Sequence, residues 1–289
     1  MSFTLVSEHF CHGGVQRFHV HASRTIGLPM RFSVFLPQAC ALGKVPALLY
    51  LAGLTCTEET FPAKAGAQRL AAELGLALIA PDTSPRGTEA ESIPGARDHW
   101  DFGIGAGFYL DATQEPWARH WRMESYLMEE LLPAITERLP IDRSRLGIFG
   151  HSMGGHGALV LAMRHPGTFR SVSTFAPICA PSEVPWGRKA FSGYLGDDTA
   201  AWREHDACAL MRRQAAAPWP EGVLIDQGLL DKFLIEQLHP HRFEAACAEA
   251  GQPLTLRKHV GYDHGYFFVQ TFMADHLRHH HRILGSIGS

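Results

Sequence analysis

No stretch of the sequence is apolar for long enough to cross a bilayer. The longest apolar run, VPALLYLAGL, falls far short of the ~20 residues such a span requires. The opening MSFTLVSEHF has neither a basic n-region nor a long apolar h-region, so no secretory signal is expected and a cytosolic setting is. Cysteines are few and scattered. Cys11, Cys40, Cys56, Cys179, Cys208 and Cys247 form no C-x-x-C pair and no regular framework, which favours reduced thiols over disulfides or zinc ligation. A charge excess is missing too: a formal net charge of −3 leaves no broad basic face for a nucleic acid. Repeats, low-complexity tracts and linkers are absent, so residues 1–289 read as one domain.

What is present suits small-molecule chemistry in a globular protein, with 46% hydrophobic and 19% charged residues. Histidine is abundant, at 18 residues, and HLRHHH at 276–281 invites a metal site. Adjacent histidines on a helix point in different directions, and no carboxylate or cysteine pattern accompanies them. They read instead as a solvated helix end favoured by the helix dipole, and no metal is expected.

The first third alternates in FTLVSEHF, QRFHVHA and MRFSVFLP, then turns fully apolar in PALLYLAG. This predicts antiparallel edge strands leading to a buried central strand. Strands and helices then alternate. KAGAQRLAAELG is helical, LALIAPD a strand, residues 118–139 one long helix, and RLGIFG a strand. GALVLAMRH follows as helix, SVSTFAP and VLIDQG as strands, HRFEAACAEAG as helix, LTLRKHV as strand, and a helix closes the chain from about Phe267. The fold class is therefore α/β, with a mainly parallel central sheet, antiparallel N-terminal strands and helices on both faces. Residues 83–118 and 177–200 interrupt the pattern as long loops rich in Gly, Pro and aromatics. They follow buried strands, where an open parallel sheet binds ligands, and are expected to wall a pocket.

GHSMG at 150–154 fits G-x-S-x-G, with a buried strand before it and a helix after it. Such a turn strains the serine, and side chains at Gly150 or Gly154 would collide with the neighbouring strand and helix. Ser152 is thus the candidate nucleophile, and the Met153 amide at the helix start can bind an oxyanion. A serine hydroxyl needs a base and an orienting acid, in the chain order Ser, Asp or Glu, His. His264 lies in the glycine-bracketed loop GYDHG and is the candidate base. His151 and His156 are too near Ser152 in the chain to reach back, and His259 falls within a strand. Asp231, out in the loop after VLID, is favoured as the acid over Asp226, which ends the strand and reads as a loop-stabilising acceptor. The second oxyanion amide is expected in LAGLTCTEETF, at Gly53 or Leu54. Cys56 would then border the pocket, either as a modulating thiol or as a small buried residue, with no His–Asn pair to make it a nucleophile.

LAGLTCTEETF, KAGAQRLAAELG, APDTSPRG, DFGIGAGFYLDATQEPW, GHSMGGHGAL, FAPICAPSEVPWGRKAF, LIDQGLLDKFLIEQL and GYDHGYFF together resemble the S-formylglutathione hydrolase (esterase D) family of the α/β-hydrolase fold. The likeness runs from about residue 4 to about residue 280. It implies Ser152 as nucleophile, Asp231 as acid, His264 as base, and Leu54 and Met153 as oxyanion amides. It further implies a cytosolic, cofactor-free enzyme, commonly dimeric, that splits S-formylglutathione into glutathione and formate. A formyl group is small, so the acyl side should be cramped. Glutathione carries two carboxylates, so Arg86, Arg188, Lys189 or Lys232 are candidates to meet them, each of which also reads as a solvated surface charge. Cys56 and Trp186 are further substrate-contact candidates. Three positions depart from the family pattern: Thr60 for Asn, Ala52 for Ser, and Gly265 for Ser or a similar polar residue. A general small-acyl carboxylesterase, an acyltransferase on the same fold, and a binding protein with a vestigial triad are the alternatives.

Overall fold

The protein is described by a computed structural model over residues 2–285. The alternating segments of the first third form β1 (Thr4–Cys11), β2 (Gly14–Ala22) and β3 (Pro29–Leu36). The apolar runs form the buried strands β4 (Val45–Leu51) and β5 (Ala77–Pro81). Then follow β6 (Ile141–His151), β7 (Ser171–Phe175), β8 (Val223–Gly228) and β9 (Leu254–His259). They make one sheet in the order β1-β2-β3-β5-β4-β6-β7-β8-β9. Pairing is antiparallel from β1 to β5 and parallel from β5 to β9. Strands covered by helices need no polar face, which is why β4 and β5 carry almost none.

The helices Met153–Arg164 and Tyr266–Gly285 pack on β6 and β7. Between β4 and its neighbours β5 and β6 the chain reverses its direction of travel across the sheet. The loops at the carboxyl ends of these strands open the crevice where ligands bind in such sheets.

Three expectations need correction, and one short helix was not expected. Residues 177–200 are not all loop: a helix runs from Pro185 to Leu195, opened by a proline whose missing N–H costs nothing at the first position. Residues 118–139 are not one regular helix. A turn at Trp117–Arg119 precedes Met123, and the helix widens over Tyr126–Leu131, just before Pro133 withdraws an N–H from the ladder. A short helix at Ala207–Arg212, capped by the Asp206 side chain on the Ala209 amide at 3.0 Å, is too brief to show periodicity.

The histidine run is not a solvated helix end. His276 and His280 are fully buried, because residues four apart share a helix face and this face turns to the sheet. His280 bonds the Ser171 and Ser173 hydroxyls at 2.6 and 2.8 Å. His276 bonds Ser173 at 2.8 Å and Asp226 at 3.1 Å.

Candidate active site

Ser152 sits at the sharp turn between β6 and the helix Met153–Arg164, with φ 58° and ψ −119°. A non-glycine residue rarely adopts this conformation, and neighbouring strands enforce it. The Ser152 amide donates to the Phe175 carbonyl at 3.0 Å, and the Ser152 carbonyl accepts from Ile178 and His156. The flanking glycines are obligatory. A Cβ at Gly154 would lie 1.9 Å from the Leu51 oxygen, and one at Gly150 would lie 2.2 Å from the Gly154 oxygen.

Two loops bring the other groups to this turn. After β8 the chain carries Asp231, whose Oδ1 accepts from the Phe233 amide at 2.9 Å and whose Oδ2 accepts from Gln227 Nε2 at 3.2 Å. After β9 it carries His264, whose Nδ1 lies 2.5 Å from Asp231 Oδ2. With Nδ1–H donated to a buried carboxylate, Nε2 is the nitrogen left for chemistry. The imidazole stands edge-on to Phe233 at 5.0 Å and tilted against the His151 ring at 4.5 Å.

The segment after β4 supplies the facing wall. Ala52 accepts from the Tyr109 hydroxyl at 2.8 Å, Thr55 donates to Gly105 at 2.9 Å, and Cys56 donates to Gly53 at 3.3 Å. The Cys56 carbonyl accepts from Thr83 Oγ1 at 2.6 Å and from Arg86 Nη2 at 2.9 Å. Pinned so, the loop passes close enough that a Cβ on Gly53 would stand 3.1 Å from the Ser152 Cβ. Among the described residues neither the Leu54 nor the Met153 amide finds a backbone acceptor. Unpaired N–H groups beside a serine are what a developing oxyanion requires.

A cavity of about 130 Å³ joins these parts, lined among others by Leu54, Cys56, Ser152, Trp186 and His264. Two larger recesses, of about 620 Å³ beside Trp219 and 400 Å³ beside Asp82, do not include Ser152 or His264. Burial pushes the Cys56 thiol up, against the pull of Thr60, Tyr266 and Lys64, so it stays protonated at neutral pH. Its five fellow cysteines are free thiols as well. Among the described residues no cluster of His, Cys, Asp or Glu is disposed to hold a metal.

Three of the four expected cations, Arg86, Lys189 and Arg188, are held by other groups and do not line the cavity. Arg86 grips Asp82 through Nε at 2.8 and 3.0 Å while holding the Cys56 carbonyl, so it fixes the loop instead of facing a ligand. Lys189 is taken by Asp101 at 2.5 Å, and Arg188 donates to the Ser182 carbonyl at 3.2 Å. Asp226 is no loop acceptor either. It is fully buried between Arg257, His259 and His276, which hold its carboxyl far below the ordinary range despite burial. Of the three departures, Thr60 accepts from the Thr57 amide at 3.0 Å and opens the helix Thr60–Lys64, and Gly265 donates to Asp263 at 2.8 Å.

Sequence reasoning passed over His151, Trp100, Phe233 and Tyr266, all of which line the cavity. His151 was excluded as too near Ser152, yet as the last residue of β6 it lies alongside His264. Burial first, and His264 second, hold its pKa well below the ordinary imidazole value, so it stays neutral. Trp100 belongs to the long loop expected to wall the pocket, and that was its available signal.

The model of the esterase family matches residues 23–279. S-formylglutathione hydrolase of Paracoccus denitrificans (strain Pd 1222) is 53% identical over 286 residues, covering 99% of each chain. That of Mus musculus is 50% identical over 287 residues, covering 99% of this chain and all of the relative. The chain belongs to the S-formylglutathione hydrolase family of esterases. A solved structure of the family, from Agrobacterium tumefaciens, superposes with a TM-score of 0.93 at 46% identity and covers 97% of this chain and 99% of its own. The fold is accordingly that of the α/β-hydrolase esterases, and the family's enzymes are hydrolases.

Proposed function

We propose that the protein hydrolyses S-formylglutathione to glutathione and formate, with Ser152 as nucleophile, His264 as base and Asp231 as the acid that orients it. The observation that carries this reading is the Asp231–His264 bond at a cavity that Ser152 also lines. His264 Nε2 takes the proton of Ser152 as Oγ attacks the formyl carbon, and the oxyanion rests on the Leu54 and Met153 amides. The C–S bond breaks, glutathione leaves as thiolate and takes the proton from His264 Nε2, which returns the imidazole to its neutral form, and a formyl ester remains on Ser152. Water, deprotonated by His264, attacks that ester; the bond to Ser152 Oγ breaks, His264 returns the proton to Oγ, and formate is released. A thiolate leaves without much help, so His264 matters chiefly for activating Ser152 and the water.

A cavity of about 130 Å³ walled by Trp100, Trp186 and Phe233 has room for a formyl or acetyl group and little more. Because these walls are uncharged, a neutral small-acyl ester also fits, and general carboxylesterase activity is the second reading. Loss of thioester absorbance from S-formylglutathione, run beside p-nitrophenyl acetate for the wild type and Ser152→Ala, separates them. Thioester turnover that exceeds ester turnover and vanishes in the variant is expected; an idle thioester beside a turned-over ester would leave the carboxylesterase.

A further inference from the structure

The chain has five lysines, at positions 44, 64, 189, 232 and 258. Lys189 is paired with Asp101, and Lys258 with Glu244 at 3.6 Å. Lys44 precedes β4 and so lies at the end of the sheet opposite the cavity. Lys64 and Lys232 are different. Both are exposed, and among the described residues neither has a carboxylate partner. Each instead sits over an aromatic ring that lines the cavity. Lys64 Nζ stands 5.9 Å from the centre of Tyr266, and Lys232 Nζ 4.9 Å from the centre of Phe233. Phe233 packs on His264 and Tyr266 on His151, so the two ammonium groups are carried by different walls of the same mouth.

We infer that Lys64 and Lys232 form the binding site for the two carboxylates of the glutathione moiety, one arm of the tripeptide to each; this rests on the S-formylglutathione reading above. A ring under an ammonium group holds the charge in place without neutralising it, so its remaining N–H donors stay available to a ligand. The cavity itself offers no cation; Arg86 and Lys189 are paired with Asp82 and Asp101, and Arg188 turns its Nε to the Ser182 carbonyl. A chain of net charge −3 that binds a substrate of net charge −1 needs local positive charge at the mouth, and these two side chains supply it. With the central thioester against Ser152, the γ-glutamyl and glycyl arms diverge, and each ends in a carboxylate. The acyl group is thus selected by the walls of the cavity and the thiol by its rim.

The test uses S-methylglutathione, which cannot be hydrolysed, as a competitive inhibitor of p-nitrophenyl acetate turnover, together with kcat/KM for S-formylglutathione. Lys64→Met and Lys232→Met should each raise the inhibition constant about fivefold, and more in the double variant. The preference for thioester over ester should fall in step, and both effects should shrink at high salt. Lys44→Met is the control and should change neither. Inhibition constants unchanged in the double variant, with the wild type turning over the thioester, would overturn the assignment while leaving the hydrolase intact. A wild type that neither binds S-methylglutathione nor hydrolyses the thioester would remove the substrate reading itself.

Discussion

Asp231 and Asp226 belong to the same strand-and-loop segment, and each is bonded to a histidine that can reach a serine. Asp231 leads to His264 and the cavity of Ser152; Asp226 leads to His276 and then to Ser173, at 3.1 and 2.8 Å. The second set has the composition of the first and none of its surroundings. Ser173 lies in the middle of β7, fully buried, and its hydroxyl is shared with His280. Asp226 is bound at both oxygens by the Arg257 guanidinium, at 2.6 and 2.5 Å. Neither Asp226 nor Ser173 lines any of the cavities described above, and Ser173 sits in regular strand among the described residues. Three side chains in contact are therefore not enough. On the mechanism proposed above, reactivity comes from strand ends that open onto a void, from amides left without acceptors, and from a backbone forced to φ 58° at the serine. The rear network serves the fold.

The comparison can be broken most sharply at the acids. Asp231→Asn should lower kcat by about 10⁴, because the imidazole loses the group that fixes its tautomer, while the melting temperature changes little. Asp226→Ala should do the reverse. It leaves the Arg257 guanidinium and two imidazoles without their common acceptor and should cost about 3 kcal/mol in urea unfolding, with kcat per folded molecule kept. An activity loss of similar size in both variants would end the distinction.

A pH series tests the histidines behind both sets. Burial lowers the pKa of His151, His276 and His280, and takes His156 to about 3. Below about pH 6.5 the unfolded chain binds a proton at each of these sites and the folded chain does not. Stability is thus fully present above 6.5 and drains as pH falls toward the folded values. For each such histidine the slope is at most about 1.4 kcal/mol per pH unit, reached once pH is below 6.5 and still above the folded value, and is read from urea midpoints between pH 7 and 5. A flat profile would mean that these rings are already protonated in the fold.

The smallest expected effect sharpens the role of the loop after β4. Arg86→Met removes one of two donors on the Cys56 carbonyl and loosens the segment that carries the Leu54 amide. We expect kcat to fall about tenfold with KM nearly constant, and guanidinium in the buffer to restore part of it. A rise in KM for the thioester alone would return Arg86 to a role in substrate binding.

Much of this arrangement was legible in the sequence, and the exceptions have physical causes. Fully apolar runs and a glycine-bracketed serine encode their own surroundings, so β4 and the turn at Ser152 could be placed from local pattern. The loop position of Asp231, beyond β8, could be read the same way, although β8 runs past Asp226 to Gly228. Ion pairing could not. Lys189 meets Asp101 across a distant loop, and no local pattern reports that its charge is spent. His276 and His280 did carry a signal, the four-residue spacing that puts them on one helix face, but the polarity of the run hid it. His151 is too near Ser152 in the chain to serve it as base, and no local pattern reports that the strand end turns its ring onto His264.

Covalent labelling with a fluorophosphonate, followed by intact-mass analysis and peptide mapping, tests most directly which serine does chemistry. The account predicts a single adduct on Ser152, formed in step with loss of esterase activity and slowed by S-formylglutathione. An adduct on Ser173 or elsewhere, or full activity surviving complete labelling of Ser152, would contradict it.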